Sequence, residues 1–303
     1  MIASRGIPGG VQQPVGRLAL GTVQFGLAYG VANQHGQVHR GDARKMVELA
    51  AAAGVDTIDT AMGYGDSESC LGEIGMAGFK LVTKLPAMPI GTTDVSDWVN
   101  GQIGASFARL AVSRVHGLLL HRPLDLLGAN GGRLYDALCR LKEASLVQKI
   151  GVSIYSPEEL DQLTAKYRLD LVQAPFSLVD RRLHASGWLR RLKDRGIEIH
   201  TRSTFLQGLL LMPREAMPAK FARWNVLWGN WQQWLESHQE TAVHACLAFP
   251  LSFPEIDRVL VGADSTDQLR QTLAAATRAS PSAMPDLSCE EEELINPANW
   301  PNL

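Results

Sequence analysis

The chain has 303 residues, with 29 Lys+Arg against 31 Asp+Glu and 46% hydrophobic residues, enough to bury one large core. A net charge of −2 without a long basic run speaks against a nucleic-acid partner, which needs clustered cations to displace counterions from phosphates. No window approaches the roughly 18 uninterrupted apolar residues of a membrane span, and Met1 to Gly10 lacks the charged-then-apolar order of a signal peptide, so no membrane partner and a cytoplasmic location are expected.

In chain order, eight β-type runs alternate with helix-length segments: Arg17–Thr22, Thr57–Thr60, Leu81–Lys84, Gly117–His121, Lys149–Ser153, Asp170–Gln173, Glu198–Thr201 and Arg258–Gly262. Amphipathic helices are predicted between them, including Asp42–Ala53, Leu134–Ala144, Pro157–Lys166 and Thr266–Ala275, with Ser156 and Ser265 as capping candidates. Alternation of this kind predicts a parallel sheet, and eight strands are the number that closes a barrel. The expected class is therefore α/β, a (β/α)8 TIM barrel in one domain, with a core over about 17–276 and a C-terminal tail over about 277–303.

Pro213 to Glu240 breaks the rhythm and carries Trp224, Trp228, Trp231 and Trp234 at helical spacing. Packing of that face on the barrel is the favoured expectation, and one wall of an apolar substrate pocket is the sharper one. Glu290–Glu293 reads as a solvated acidic run before a Pro-containing tail. Cys70, Cys139, Cys246 and Cys289 form no CxxC pair, and His35 and His39 lack a third ligand beside them, so neither a disulfide scaffold nor a metal site is expected. P-loop, HExxH, GxSxG and GxGxxG signatures are absent, which removes the main support for a Rossmann domain.

In such a barrel the chemistry sits where strands end, because the βα loops surround one mouth. The second strand ends in Asp59 and runs on to Tyr64, the third ends in Lys84, and the fourth in His121. Singly, these read as a strand-end cap, a packed loop aromatic, a solvated strand terminus and a satisfied histidine. Together, at consecutive strand ends, they form a candidate site. A phenol, with a reference pKa of about 10, becomes a better proton donor beside an ammonium. Lys84 would supply that field, Asp59 would hold Lys84 charged, and His121 would orient the same substrate oxygen. The set suits protonation of an oxyanion, which carbonyl reduction requires.

From about Leu18 to Leu273 the chain resembles the aldo-keto reductases. The resemblance rests on Leu20-Gly21-Thr22 with Phe25-Gly26, on Ile58-Asp59-Thr60-Ala61-x-x-Tyr64-Gly65-x-Ser67-Glu68-x-x-Leu71-Gly72, on Val82-Thr83-Lys84, and on Leu118-Leu119-Leu120-His121-Arg122-Pro123. It implies a barrel that binds NADP(H) without a Rossmann motif, with Asp59, Tyr64, Lys84 and His121 as catalytic tetrad and Tyr64 as acid/base. For the cofactor it implies Gly21 and Thr22 at the first strand end, and Ser153 and Gln173 on the nicotinamide carboxamide. Ile154 stands where many members have an Asn that shares this task. Arg202-Ser203-Thr204-Phe205-Leu206-Gln207-Gly208 is similar to the family's Tyr-Ser-Pro-Leu-x-x-Gly stretch, so Ser203, Phe205, Leu206, Gln207 and Gly208 are expected beside the diphosphate. Arg202 replaces the usual stacking aromatic and is expected to reach a substrate anion or the pyrophosphate.

The eighth strand end, Gly262-Ala263-Asp264-Ser265, leads to a helix N-terminus that suits an anion, with Gln268 in its first turn. Strongly NADPH-selective members often have Lys and Arg where Gly262 and Gln268 stand. NADPH is the expected cofactor, with NADH as rival and Arg270 as a substitute cation. The leading expectation is a monomeric NADPH-dependent reductase of aldehydes, ketones or sugars with a small-molecule carbonyl substrate. A nucleotide-sensing regulatory subunit, an NAD-dependent sugar or polyol dehydrogenase, and an aldolase using Lys84 as a Schiff base are the alternatives.

Overall fold

The computed structural model describes residues 14–281 and 283–303. The Met1–Gly10 stretch discussed above lies outside the described residues. Eight parallel strands, β1 (Leu18–Gly21), β2 (Thr57–Asp59), β3 (Lys80–Leu85), β4 (Val115–Leu120), β5 (Val147–Ser153), β6 (Leu171–Pro175), β7 (Glu198–Arg202) and β8 (Arg258–Val261), pair in sequence order and close when β8 meets β1. The helices are α1 (Arg40–Ala52), α2 (Ser67–Ile74), α3 (Val95–Leu110), α4 (Gly131–Glu143), α5 (Glu159–Lys166), α6 (Arg182–Ala185), α7 (Trp188–Asp194), α8 (Asn225–His238), α9 (Ala242–Leu251), α10 (Thr266–Ala276) and α11 (Glu292–Ile295). All eight sequence-predicted strands form, as the (β/α)8 expectation requires. Among the described residues no helix is long and apolar enough to cross a membrane.

Each strand's two faces have different partners, as the two-residue period of a strand demands. Leu118 and Leu120 join the main core, whereas Leu119 meets Val82 and Leu171 in a separate buried cluster. Glycine sets how closely neighbouring strands approach: a Cβ on Gly151 would lie 1.8 Å from the carbonyl oxygen of Leu171. A charged cluster lies toward the strand starts, where Glu198 accepts hydrogen bonds from His200 at 2.7 Å, His116 at 3.2 Å and from Lys149. Burial raises the carboxyl's pKa, but these donors outweigh it and hold Glu198 well below the usual carboxylate range.

Helix starts follow their caps. Ser265 accepts from the amide of Gln268, as expected, and Thr241 and Asp94 do the same for α9 and α3. Ser156 does not cap α5. That helix begins at Glu159, whose carboxylate instead accepts from the amides of Tyr155 at 2.7 Å and Ser156 at 2.8 Å.

The tryptophan-rich segment joins the main core by packing on the rest of the β7 loop. Trp228 and Trp231 are buried, their indole N–H groups donating to Phe221 O at 2.9 Å and Leu210 O at 3.0 Å. The tail is no loose extension, for Leu287, Leu294, Ile295 and Trp300 are all buried. The acidic run Glu290–Glu293 stays exposed, as expected, and pairs at the surface: Glu291 and Glu293 with Arg223, and Glu292 with Arg182.

Candidate active site

Four successive structural choices bring the candidate residues together. Asp59 is the last residue of β2, Lys84 lies near the end of β3 and His121 directly follows β4. Tyr64 sits in the β2 loop, whose path is set by contact with Gly26. A Cβ there would come within 1.8 Å of the carbonyl oxygen of Tyr64, and Gly65 takes φ +51 with Gly26 O against it. Only glycines let these two backbones pass so closely.

Lys84 is fully buried and donates to Asp59 Oδ1 at 2.6 Å and to the carbonyl of Thr60 at 2.8 Å. Burial alone favours the neutral amine, but Asp59 and then Tyr64 outweigh it and raise the pKa of Lys84. The ammonium stands 5.0 Å from the centre of the Tyr64 ring, and that ring meets His121 edge-on with centroids 5.8 Å apart. Burial, followed by the charges of Lys84 and Arg202, lowers the His121 pKa to about 4. A neutral imidazole, a buried ion pair and a phenol thus face one another. Such a group can hydrogen-bond a carbonyl oxygen and hand it a proton as negative charge develops.

The other predicted residues fall into two groups. Ser153 Oγ donates to Gln173 Oε1 at 3.2 Å, and Gln173 Nε2 donates to Asp59 Oδ2 at 2.7 Å, so both join the ion pair from across the barrel. Arg202 reaches from β7 past β6 to the end of β5, donating to Ile154 O at 3.0 Å. Around the β7 and β8 ends many side chains serve local structure. Thr22 is buried and donates to Asp59 O at 2.9 Å, while Gly21 ends β1 in register with Asp59. Phe205, Leu206 and Ala263 are buried, and Ser203, Leu206 and Gln207 all take left-handed backbone angles before Gly208. Ser265 caps α10, and Gln268 Oε1 accepts from the amide of Asp264 at 2.8 Å. Gly262 leaves room for the Gln24 side chain, which a Cβ would meet at 2.7 Å, and the buried Gln24 Oε1 has no hydrogen-bond partner.

Two phenols at this rim were missed from sequence. Tyr29, in the β1 loop, accepts from Gln207 Nε2 at 3.0 Å and is close enough to feel the charges of Tyr64 and Arg202. Tyr155, after β5, lies 4.8 Å from the Arg202 guanidinium. The same β1 loop places Ala32 against Gly208 and hydrogen-bonds Asn33 to Asp264 at 3.3 Å. It thereby joins the rims of β1, β7 and β8. The one available signal was position, since both tyrosines fall in predicted βα loops.

Comparison with known proteins gives the family and the fold. The sequence model of the Aldo/keto reductase family matches residues 17–287. The NADH-specific methylglyoxal reductase of Escherichia coli (strain K12) is 23% identical over 295 residues, 86% of this chain and 89% of that one. The 6-dehydroglucose reductase of Novosphingobium aromaticivorans is 31% identical over 139 residues, 40% of this chain and 44% of its own length. Among solved structures, the holo form of an aldo-keto reductase from Bacillus halodurans superposes with TM-score 0.70 at 18% identity, covering 91% of this chain and 94% of its own. The glycerol dehydrogenase of Gluconobacter oxydans superposes with TM-score 0.66 at 19% identity, over 88% of each chain. With the family match spanning the whole barrel, the chain belongs to the Aldo/keto reductase family, oxidoreductases that act on carbonyl compounds with NAD(P)H.

Proposed function

We propose that this enzyme reduces small aldehydes and ketones, with Tyr64 giving the proton to the carbonyl oxygen. The observation that carries the reading is the fully buried Lys84–Asp59 pair beneath the Tyr64 ring, with a neutral His121 at the ring's edge. Lys84 offers a fixed positive field to the phenol, Asp59 keeps that charge in place, and the neutral His121 donates a hydrogen bond to the substrate carbonyl oxygen without adding charge. Gln173 and Ser153 brace Asp59 from the opposite wall and present amide and hydroxyl groups to the same rim.

The residues at the β7 and β8 ends fit a nicotinamide dinucleotide. The partnerless Gln24 Oε1, the left-handed turn at Leu206–Gln207 and the amide-bearing start of α10 leave polar backbone and side-chain groups around the mouth. When bound, the nicotinamide supplies hydride to the carbonyl carbon. The charge pattern supports NADH at least as well as the NADPH that the family resemblance implies. Arg270, the expected substitute for a 2′-phosphate cation, is paired with Asp267 at 2.5 Å, and Gln24 fills the space beside Gly262. The E. coli relative named as NADH-specific points the same way.

Purified enzyme and Tyr64→Phe would be titrated with NADH and NADPH by quenching of tryptophan emission, and assayed with methylglyoxal and simple aldehydes. The expected result is intact nucleotide binding in both proteins, with the variant's kcat reduced at least ~100-fold, the scale of a lost general acid. Full turnover by Tyr64→Phe sinks the assignment, and a large preference for NADPH over NADH sinks the cofactor reading.

A further inference from the structure

The β7 end leaves a positive charge without a counter-ion at the mouth. Arg202 is half-buried, its Nη2 donating to Ile154 O at 3.0 Å, its Nη1 to Ser203 Oγ at 3.3 Å, and its guanidinium lying 4.8 Å from the Tyr155 ring centre. Among the described residues no carboxylate pairs with it, whereas the nearby Arg181 and Arg182 are held by Asp286 and Asp180. Two of its N–H groups are committed, and a guanidinium has five.

The charges of the rim do not cancel. Asp59 is neutralised by Lys84, and His121 is kept uncharged by burial and then by the cations Lys84 and Arg202, so Arg202 leaves the site with one net positive charge in a chain of net −2. Direction matters as well. The helix start suited to a dinucleotide's phosphates follows β8, on one side of β7, but Arg202 extends the other way, past β6 to Ile154 and Tyr155. Its charge is felt by His121, beside the proton donor, and by Tyr29 of the β1 loop.

Resting on the reading of Tyr64 as proton donor, we propose that Arg202 is an anion subsite and that the preferred substrates are carbonyl compounds carrying a carboxylate or phosphate. The planar fork matches either group in a bidentate manner. Its carbonyl, hydroxyl and aromatic contacts hold it in place beforehand, which reduces the ordering cost of binding.

The test compares matched pairs: succinic semialdehyde against butanal for the carboxylate, and glyceraldehyde 3-phosphate against glyceraldehyde for the phosphate. Each is assayed with wild type, Arg202→Gln and Arg202→Lys, and nucleotide dissociation constants are measured alongside. The wild type should favour the charged member of at least one pair about ten- to a hundred-fold in kcat/KM, the scale of a charge-assisted hydrogen bond. Arg202→Gln should collapse that ratio chiefly through KM, and Arg202→Lys should restore part of it. Which pair shows the preference tells carboxylate from phosphate. A readout independent of turnover is binding of the product-like anions 4-hydroxybutyrate and glycerol 3-phosphate to the nucleotide-loaded enzyme. At least one should bind, about ten-fold more weakly to Arg202→Gln but equally to Tyr64→Phe, separating the subsite from the proton donor. No charge preference in the wild type, equal losses on both members of a pair, weakened nucleotide binding as the main effect of Arg202→Gln, or no binding of either anion overturns the proposal.

Discussion

His121 lies where burial and two cations, Lys84 and Arg202, disfavour a further positive charge, and its pKa falls to about 4 from 6.5. The folded protein therefore resists a proton that the unfolded chain accepts below about 6.5. Above that value the group contributes nothing to the pH dependence, and as pH falls from 6.5 toward 4 the unfolded state gains protons and stability is lost. The loss at this one residue reaches a ceiling of about 3 kcal/mol. Denaturation curves of wild type and His121→Asn between pH 7 and 4 should show a shallower decline in the variant, and parallel curves would contradict this account. Asp59, Lys84, Tyr64 and His121 were legible in the sequence because consecutive strand ends must share one mouth. The bond from Gln173 to Asp59 was not, since it crosses the barrel between residues 114 positions apart.

Among the elements, the β2 loop and α2 are held by contacts that leave almost no tolerance. Gly26 lies under the carbonyl of Tyr64 and the amides of Asp66 and Ser67. Ser67 donates to Thr22 O at 2.8 Å, and the buried Glu68 accepts from Thr83 at 2.7 Å, Ser106 at 2.6 Å and Arg109 at 2.8 Å, tying α2 to β3 and α3. Gly26→Ala should push the Tyr64 loop outward, costing about 1–3 kcal/mol of stability and lowering kcat more than ten-fold while nucleotide affinity holds. Steady-state kinetics and fluorescence titration would show it, and unchanged kcat would refute the positioning role. The eight strands could be read from their β-type runs and the alternation with helices. Ser156 was misread as a cap because α5 starts only at Glu159, three residues later, and the Glu159 carboxylate instead folds back onto the amides of Tyr155 and Ser156.

Across the whole molecule, the chain beyond α10 is part of the packed body. The Trp300 indole donates to Leu294 O at 2.9 Å and meets Phe221 edge-on at 4.8 Å, while Lys220 donates to Trp300 O at 2.8 Å. Trp300→Ala should cost about 3–5 kcal/mol, read from the denaturant midpoint; a change below about 1 kcal/mol would mean that the tail is dispensable. Sequence pattern could not reveal this, because the tail shows no helical or strand period. Its burial depends on a surface assembled by Phe221 and its neighbours, some 80 residues upstream. The tryptophan face of α8 is explained in the same way, by the carbonyls of Phe221 and Leu210 that its indoles reach.

The pairing of β1 with β8, reinforced by Arg17 donating to the carbonyls of Leu251, Phe253 and Ile256, also sets an order of events during synthesis. One edge of β1 has no partner until the last strand has left the ribosome, so closure is necessarily late. Joining ends about 240 residues apart carries a loop-closure cost of about 5 kcal/mol, less whatever earlier strands have already ordered. Until then the nascent chain presents two open sheet edges, the state in which an α/β chain of this size is most exposed to misassociation.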